Sequence, residues 1–167
     1  MEIIQVVGYK NSGKTTFAQQ IIHHFSSRGL KTASLKHHGH GGTPDVVENK
    51  DSTKHHEAGA IMTGVEGDGM IQLNIDYVMD DFDRLLAFYR VLDVDVLVVE
   101  GYKKLDFNKI VMIKGEEDLH LLEELTNIKA AIASIHIKNK NYPFPIYDSQ
   151  QHKEVIDRIN QDIRLTP

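Results

Sequence analysis

The sequence predicts an α/β fold: a doubly wound, mostly parallel sheet with helices on both faces. Short runs rich in β-branched residues alternate with longer amphipathic segments, a pattern typical of βαβ units. One run, residues 94–99, is nearly all apolar, as expected of a strand buried on both faces of a parallel sheet. A glycine-rich stretch joins the first predicted strand to the first predicted helix.

The alternation predicts seven strands and five helices. The strands are Ile3–Val7, Thr32–Lys36, Ala60–Gly64, Met70–Ile75, Asp95–Glu100, Ile110–Lys114 and Ala130–Ile135. The helices are Lys14–Arg28, Ser52–Gly59, Asp80–Val91, Glu116–Glu124 and Gln150–Gln161. Residues 64–76 and 106–114 are candidates for hairpin-like or edge strands. Gly29 stands where a C-terminal cap of the first helix belongs.

Length and composition indicate one globular domain over the 167 residues, without internal repeat or linker. The net charge of -5 argues against broad binding to nucleic acid or to an anionic membrane, which needs a basic surface. No apolar stretch approaches the ~20 residues that cross a bilayer, and the first residues lack the regions of a signal peptide. The absence of cysteine excludes disulfides and zinc-thiolate sites, and a cytoplasmic protein fits.

The glycine-rich stretch, GYKNSGKTTF at residues 8–17, holds the strongest motif. Residues 8–15 match G-x-x-x-x-G-K-[ST] at every fixed position, between a predicted strand and a predicted amphipathic helix. Gly8 and Gly13 permit backbone angles that turn successive N–H groups toward phosphate oxygens, where the positive end of the helix also points. A chance glycine-rich turn is the alternative. The motif in this context predicts a P-loop NTPase domain that binds a nucleoside triphosphate.

Two side chains of the motif have expected roles in such a site. Lys14 would bring a positive charge to the outer phosphates, and the Thr15 hydroxyl would be a ligand of Mg²⁺. A partner acid is expected at the carboxyl end of another parallel strand, and Glu100 ends the apolar run 96–99. Its alternatives are direct Mg²⁺ coordination, a bridging water, positioning of the attacking water, or a plain solvent-facing acid.

A histidine-rich segment, KHHGHGGTPD at residues 36–45, follows the second predicted strand. Three interpretations remain open: a mobile polar loop, a transition-metal site, or a basic loop near the phosphates. In the third, Lys36, His37 and His40 bind a phosphate of the nucleotide or of a second anionic substrate. Asp51, before the next predicted helix, is either a helix cap or a ligand residue, and the two roles are compatible.

These motifs, taken in order, resemble the MobB family, the molybdopterin-guanine dinucleotide biosynthesis protein B family. The resemblance rests on the loop together with K-H-x-x-H from Lys36, K-D-S from Lys50, A-G-A from Ala58 and E-G-[FY]-K from Glu100. It spans roughly the first hundred residues, and the final third resembles the family in pattern only. Asn49 stands where the family often has glycine.

The resemblance implies a GTP-binding, weakly GTP-hydrolysing accessory protein of molybdenum-cofactor maturation. It implies a homodimer that acts beside the guanylyltransferase joining GMP to molybdopterin, with molybdopterin itself as a possible ligand. Thr15 and Glu100 would serve Mg²⁺, and Lys14 with Glu100 would support any hydrolysis. The residues implied to bind the nucleotide are Gly8, Asn11, Ser12, Gly13, Lys14, Thr15, Thr16, Lys36, His37, His40 and Asp51.

Guanine specificity comes from the resemblance alone, because no base-reading N-K-x-D or T-K-x-D stands in the chain. In Asn49-Lys50-Asp51 the acid comes one residue early, and it follows the second strand rather than a late one. Two alternatives remain: a small-molecule kinase whose histidine-rich loop binds the acceptor, and a nickel-insertion GTPase suggested by the histidines. A kinase of this size usually carries a basic lid, and a nickel protein would be expected to have cysteines.

Overall fold

The computed structural model describes residues 1–38, 51–76, 82–137 and 141–162. Its strands are Glu2–Gly8 (β1), Thr32–Lys36 (β2), Met62–Gly67 (β3), Met70–Ile75 (β4), Val96–Glu100 (β5), Lys109–Ile113 (β6), Ile128–Ala133 (β7) and Ile146–Asp148 (β8). Its helices are Lys14–Ser26 (α1), Asp51–Glu57 (α2), Phe82–Val91 (α3), Leu121–Glu124 (α4) and His152–Asp162 (α5), with a 3-10 helix at Glu116–Asp118.

The chain divides into two compact units, Met1–Gly39 with Ala87–Pro167, and His40–Leu86. The larger unit holds a six-stranded sheet in the order β2-β5-β1-β6-β7-β8. Every neighbouring pair in it is parallel, so the carboxyl ends of all six strands meet at one edge. The predicted fold class is confirmed in this sheet. The prediction of a single domain over residues 1–167 stays a prediction.

Helices cover both faces of the large sheet because its strands are apolar on both sides. On one face, Phe17, Ile21 and Phe25 of α1 pack with Val155 and Ile159 of α5 against the sheet. On the other face, α4 contributes two buried leucines, Leu121 and Leu122, that pack against β6 and β7. The buried α1 residues recur at the spacing of one helix face, as expected of the amphipathic helix that the sequence predicts there.

Two expectations about the elements need correction, and one strand was not predicted. The segment 106–114 contains β6, which is no edge strand because it pairs with β1 on one side and β7 on the other. The helix expected at 116–124 is broken into a 3-10 turn and the short α4; the Asp118 carboxylate accepts the Lys114 N–H at 2.8 Å and fixes that turn. The three-residue strand β8 was not predicted, because it is too short to show a periodic pattern.

The smaller unit contains the hairpin expected within residues 64–76. Strands β3 and β4 pair antiparallel from Met62 opposite Ile75 to Gly67 opposite Met70. Asp68 and Gly69 make the turn with positive φ angles of 52° and 76°, as Asp-Gly does in two-residue hairpin loops. In the described part of the chain, the helices are all too short or too polar to cross a bilayer.

Candidate nucleotide-binding site

The glycine-rich loop leaves β1 and enters α1 through a tightly wound backbone. Gly8 has a φ of 155°, and a Cβ there would lie 2.7 Å from the Met112 carbonyl oxygen of β6 and 2.7 Å from the Ser12 hydroxyl oxygen. Asn11 and Gly13 follow with φ angles of 62° and 88°. Only glycine fits at position 8, and the close approach to β6 is what makes the concave loop possible.

The Ser12 side chain faces into this loop as a buried hydroxyl. Ser12 is 9% exposed, and within the described ranges its Oγ has no hydrogen-bond partner. A buried polar group left without a partner costs about 1–3 kcal/mol. A hydroxyl in that condition, beside a loop that a Cβ at Gly8 would fill, fits a cradle whose remaining hydrogen bonds go to a ligand.

Lys14, the first residue of α1, lies among several charges. Its Nζ donates to the Tyr9 carbonyl oxygen at 2.5 Å, which folds the side chain back over the loop. Burial lowers the pKa of Lys14, the negative charge of Glu100 opposes that shift, and the positive charges of Lys103 and Lys36 add to it. The Lys14 side chain is thus held over the loop near two other lysines, and a bound anion would offset the repulsion among their positive charges.

Thr15 and Glu100 meet across the edge of the sheet. Because β5 runs parallel to β1 with Glu100 opposite Val6, its carboxylate arrives beside the start of α1. The Thr15 hydroxyl donates to Glu100 Oε1 at 2.9 Å, with Oε2 at 3.1 Å. A hydroxyl and a carboxylate in contact at a phosphate loop are the donor set that Mg²⁺ takes in proteins, so these two residues fit the ion.

Lys36, which ends β2, and His37, which follows it, lie beside Glu100. Lys36 pairs with Glu100 in the register of β2 and β5, and its Nζ lies 3.5 Å from Glu100 Oε1. The His37 N–H donates to the Glu100 carbonyl oxygen at 2.9 Å. Its ring lies on the Tyr102 ring, with centroids 4.4 Å apart. The two residues expected near the phosphates therefore flank the predicted magnesium acid.

An open groove of about 800 Å³ runs along α1 from Thr16. Its lining includes the polar residues Gln19, Gln20, His23, His24 and Arg28 on the α1 side and Gln150, His152 and Lys153 on the α5 side. His152 Nδ1 and Gln20 Oε1 are 2.7 Å apart across it. Burial lowers the pKa of His152, which keeps its ring neutral near pH 7. The groove offers amide and imidazole hydrogen-bonding groups next to the predicted phosphate residue Thr16.

The roles expected of two further ligand residues, Asp51 and His40, stay predictions. Asp51 begins α2 in the smaller unit, where its carboxylate pairs with Lys54 at 3.1 Å. His40 lies outside the described residues, so its predicted role stays a prediction. Across the described ranges there is no group of three or more histidine, aspartate or glutamate side chains that could hold a metal ion.

A family model described as MobB, molybdopterin guanine dinucleotide synthesis protein B, matches residues 3–135 of the chain. The chain belongs to the MobB family. The match covers the loop, Glu100 and all the strands of the large sheet except the short β8.

Similarity to other proteins is consistent with membership of the MobB family. A probable molybdopterin-guanine dinucleotide biosynthesis adapter protein of Bacillus subtilis is 44% identical over 131 residues, which cover 78% of this chain and 75% of the relative. The crystal structure of Bacillus subtilis MobB superposes with a TM-score of 0.83 at 36% identity, covering 99% of this chain and 100% of that one. A MobB homologue from Bacillus stearothermophilus gives 0.79 at 32% identity, covering 98% and 99%.

Two residues of this MobB-family site were missed by sequence reasoning. Gln5 is fully buried in β1, and its Nε2 donates to the carbonyl oxygens of Gly101 and Tyr102 at 2.7 and 2.6 Å. Lys103 reaches the loop, with its Nζ 3.4 Å from the centroid of the Tyr9 ring. The signal for Gln5 is a lone amide inside an apolar strand. Lys103 stands in E-G-[FY]-K, a motif that by itself assigns it no role.

Proposed function

We propose that the chain is a GTP-binding adapter of molybdopterin-guanine dinucleotide biosynthesis. It assists the guanylyltransferase that joins GMP to molybdopterin, acts in the cytoplasm as a homodimer, and hydrolyses GTP slowly. The observation that carries the nucleotide part is the contact of the Thr15 hydroxyl with the Glu100 carboxylate at the mouth of the phosphate loop. The pathway part rests on membership of a family named for this synthesis.

The loop supports triphosphate binding through three kinds of group. The N-terminus of α1 presents N–H groups that have no partner inside the helix, and its dipole favours negative charge. The Ser12 hydroxyl is buried without a partner in the described chain, and Lys14 lies over the loop. Mg²⁺ would be held by Thr15 and Glu100, where it would neutralise charge on the outer phosphates.

Slow turnover follows from the kind of cations at this site. The positive side chains that the described residues gather around Glu100 are lysines, Lys14 and Lys36. A guanidinium that forks onto the transferring phosphoryl group contributes on the order of a thousandfold or more in rate. Lysine is a point charge and gives less geometric control. We therefore expect binding to dominate over hydrolysis, as suits an adapter.

The surface of the β3–β4 hairpin supports the proposal that the protein forms a homodimer. The register places Met62 with Ile75, and Leu73 and Ile71 beside them, on one face of the two-stranded sheet. These apolar side chains are 40–63% exposed. A contiguous apolar face of this kind marks an interaction site, and a lone two-stranded sheet gains stability when it is covered. We infer that a symmetry-related hairpin covers it.

The proposal is tested by calorimetric titration of the purified protein with GTP and with ATP in the presence of Mg²⁺. We expect GTP to bind more tightly than ATP, and the guanylyltransferase to raise the GTP affinity when it is added. Equal or tighter ATP binding contradicts the guanine assignment. Tight stoichiometric nickel binding in the same assay, lost in His37→Ala with His40→Ala, favours metal delivery instead.

A further inference from the structure

The segment that follows Glu100 is turned back onto the phosphate loop. Gly101 and Tyr102 have φ angles of 93° and 53°, so the chain reverses directly after the strand. The turn is fixed to β1 because the buried Gln5 amide donates to both of their carbonyl oxygens. The Gly101 N–H also donates to the Val6 carbonyl oxygen at 2.9 Å. The residue after the turn, Lys103, is therefore delivered to a defined place.

That place is Tyr9, the second residue of the loop. The Lys103 Nζ lies 3.4 Å from the centroid of the Tyr9 ring. The ring is itself held, because the Tyr9 hydroxyl and His120 Nε2 are 2.9 Å apart. His120 Nδ1 faces the Glu117 carbonyl oxygen at 2.7 Å and must donate to it, so in the neutral ring Nε2 accepts from the tyrosine.

Two lysine ammonium groups thus contact Tyr9. Lys14 Nζ bonds its carbonyl oxygen, and Lys103 Nζ lies over its ring. Burial lowers the pKa of the Lys103 ammonium group. Two like charges at one residue repel each other, and a multiply charged anion bound beside both would offset that repulsion.

We propose that Lys103 binds the outermost phosphate of the nucleoside triphosphate and so makes this site prefer a triphosphate over a diphosphate. This assignment of Lys103 rests on the proposed function, because it requires a nucleotide bound at the loop. When the anion binds, Lys103 exchanges its contact with the Tyr9 ring for a charge-assisted hydrogen bond to a phosphate oxygen. Such bonds are stronger than the contact of a cation with an aromatic ring at a partly exposed site.

Lys103 would bind the outermost phosphate, because other groups bind the inner phosphates. Inner phosphate oxygens are bound by the N–H groups of the loop and of the start of α1. Lys103 stands three positions after Glu100, whose carboxylate faces Thr15, and its Nζ lies over the Tyr9 ring of the loop. Mg²⁺ held by Thr15 and Glu100 would bind the outer phosphates, so the terminal phosphate is the group that both Lys103 and the magnesium acid would face.

The test compares the affinities for GTP and GDP, with Mg²⁺, of the unmodified protein, Lys103→Met, Lys103→Arg and Lys104→Met. Lys103→Met keeps the apolar stem and removes the charge. Lys104 is its exposed sequence neighbour and serves as the matched control. We expect Lys103→Met to lower the ratio of GTP to GDP affinity about tenfold, the equivalent of 1.4 kcal/mol. Lys103→Arg and Lys104→Met should keep the ratio.

An unchanged ratio in Lys103→Met overturns the inference while leaving the proposed function intact, and so does an equal loss of both affinities. Failure of the unmodified protein to bind either nucleotide overturns both. Thermal unfolding of each variant separates a folding defect from a binding defect, and Lys103→Gln replaces Lys103→Met as the uncharged variant should Lys103→Met unfold. A lowered ratio in Lys104→Met also contradicts the assignment, because the effect would then follow from surface charge in general.

Discussion

The Thr15 hydroxyl donates a hydrogen bond to the Glu100 carboxylate at 2.9 Å, although 85 positions separate the two residues in the chain. The parallel pairing of β1 with β5 brings them together, because it places the ends of both strands at one edge. Neither residue is exceptional by itself. Their contact at the entrance of a phosphate loop is what makes this edge a candidate site for a metal-bound triphosphate.

Replacing Glu100 by glutamine should abolish most of the benefit that Mg²⁺ gives to GTP binding. Glutamine keeps the size of the side chain and a hydrogen bond to Thr15, but it lacks the charge that a divalent ion needs. We expect Glu100→Gln to reduce GTP affinity in Mg²⁺ by on the order of tenfold or more. Affinity in EDTA should be unchanged or slightly higher, since one negative charge near the phosphates is removed.

The matched control is Glu2→Gln, which removes a carboxylate from the exposed, opposite end of β1. It should bind GTP as the unmodified protein does. If Glu100→Gln shows the full Mg²⁺ dependence of the unmodified protein, Glu100 is no part of the metal site. Calorimetric titration with and without EDTA measures both variants.

Substitution of Gly8 by alanine should be more harmful than the same substitution at Gly29. Both glycines have positive φ angles, 155° and 82°, so alanine is strained at each. At Gly8 the new Cβ also meets the Met112 carbonyl oxygen and the Ser12 hydroxyl at 2.7 Å, whereas at Gly29 nothing lies within 4 Å. We expect about 1 kcal/mol of lost stability at Gly29 and clearly more at Gly8.

Urea unfolding measures the two stabilities, and GTP titration should show binding lost in Gly8→Ala and kept in Gly29→Ala. Equal destabilisation of the two variants would contradict the close approach of the loop to β6. The pair separates backbone strain, which the two sites share, from crowding, which only Gly8 has.

Charge on the apolar face of the hairpin should dissociate the proposed homodimer. Leu73 lies on that face and is 49% exposed, so Leu73→Asp would bury a carboxylate in an interface between copies. Gln72 is its neighbour on the opposite face of β4, and Gln72→Asp is the control. Light scattering coupled to size exclusion should give monomers for Leu73→Asp and dimers for Gln72→Asp and for the unmodified protein.

A monomeric unmodified protein, or a dimer that survives Leu73→Asp, would contradict the use of this face. The GTP affinity of the Leu73→Asp monomer should be unaltered, because the phosphate loop, Thr15 and Glu100 lie in the other compact unit.

Local patterns predicted most of the larger unit. The G-x-x-x-x-G-K-[ST] motif identified the turn between β1 and α1, and the apolar run before Glu100 identified β5. Both are local in sequence, so they could be found without knowing the tertiary structure. The break between the 3-10 turn and α4 was not found, because the hydrogen bond from the Lys114 N–H to the Asp118 carboxylate at this turn leaves no periodic pattern in the sequence.

The missed residues of the site depend on long-range contacts. Gln5 donates hydrogen bonds to Gly101 and Tyr102, which are 96 and 97 positions away in the chain. No pattern near Gln5 in the sequence predicts those contacts. Lys103 reaches Tyr9 only because a tight turn after β5 reverses the chain. Sequence patterns predict which residue ends a strand, but they do not predict where the following side chain points.

The most direct test of the central claim is a titration of Mg²⁺-GTP into the unmodified protein, Lys14→Ala and Lys31→Ala. Lys14 lies over the phosphate loop, whereas Lys31 is an exposed lysine paired with Asp93 at 3.8 Å. We predict saturable GTP binding by the unmodified protein and by Lys31→Ala, and none by a folded Lys14→Ala. Undiminished GTP binding by Lys14→Ala would contradict a phosphate site on this loop.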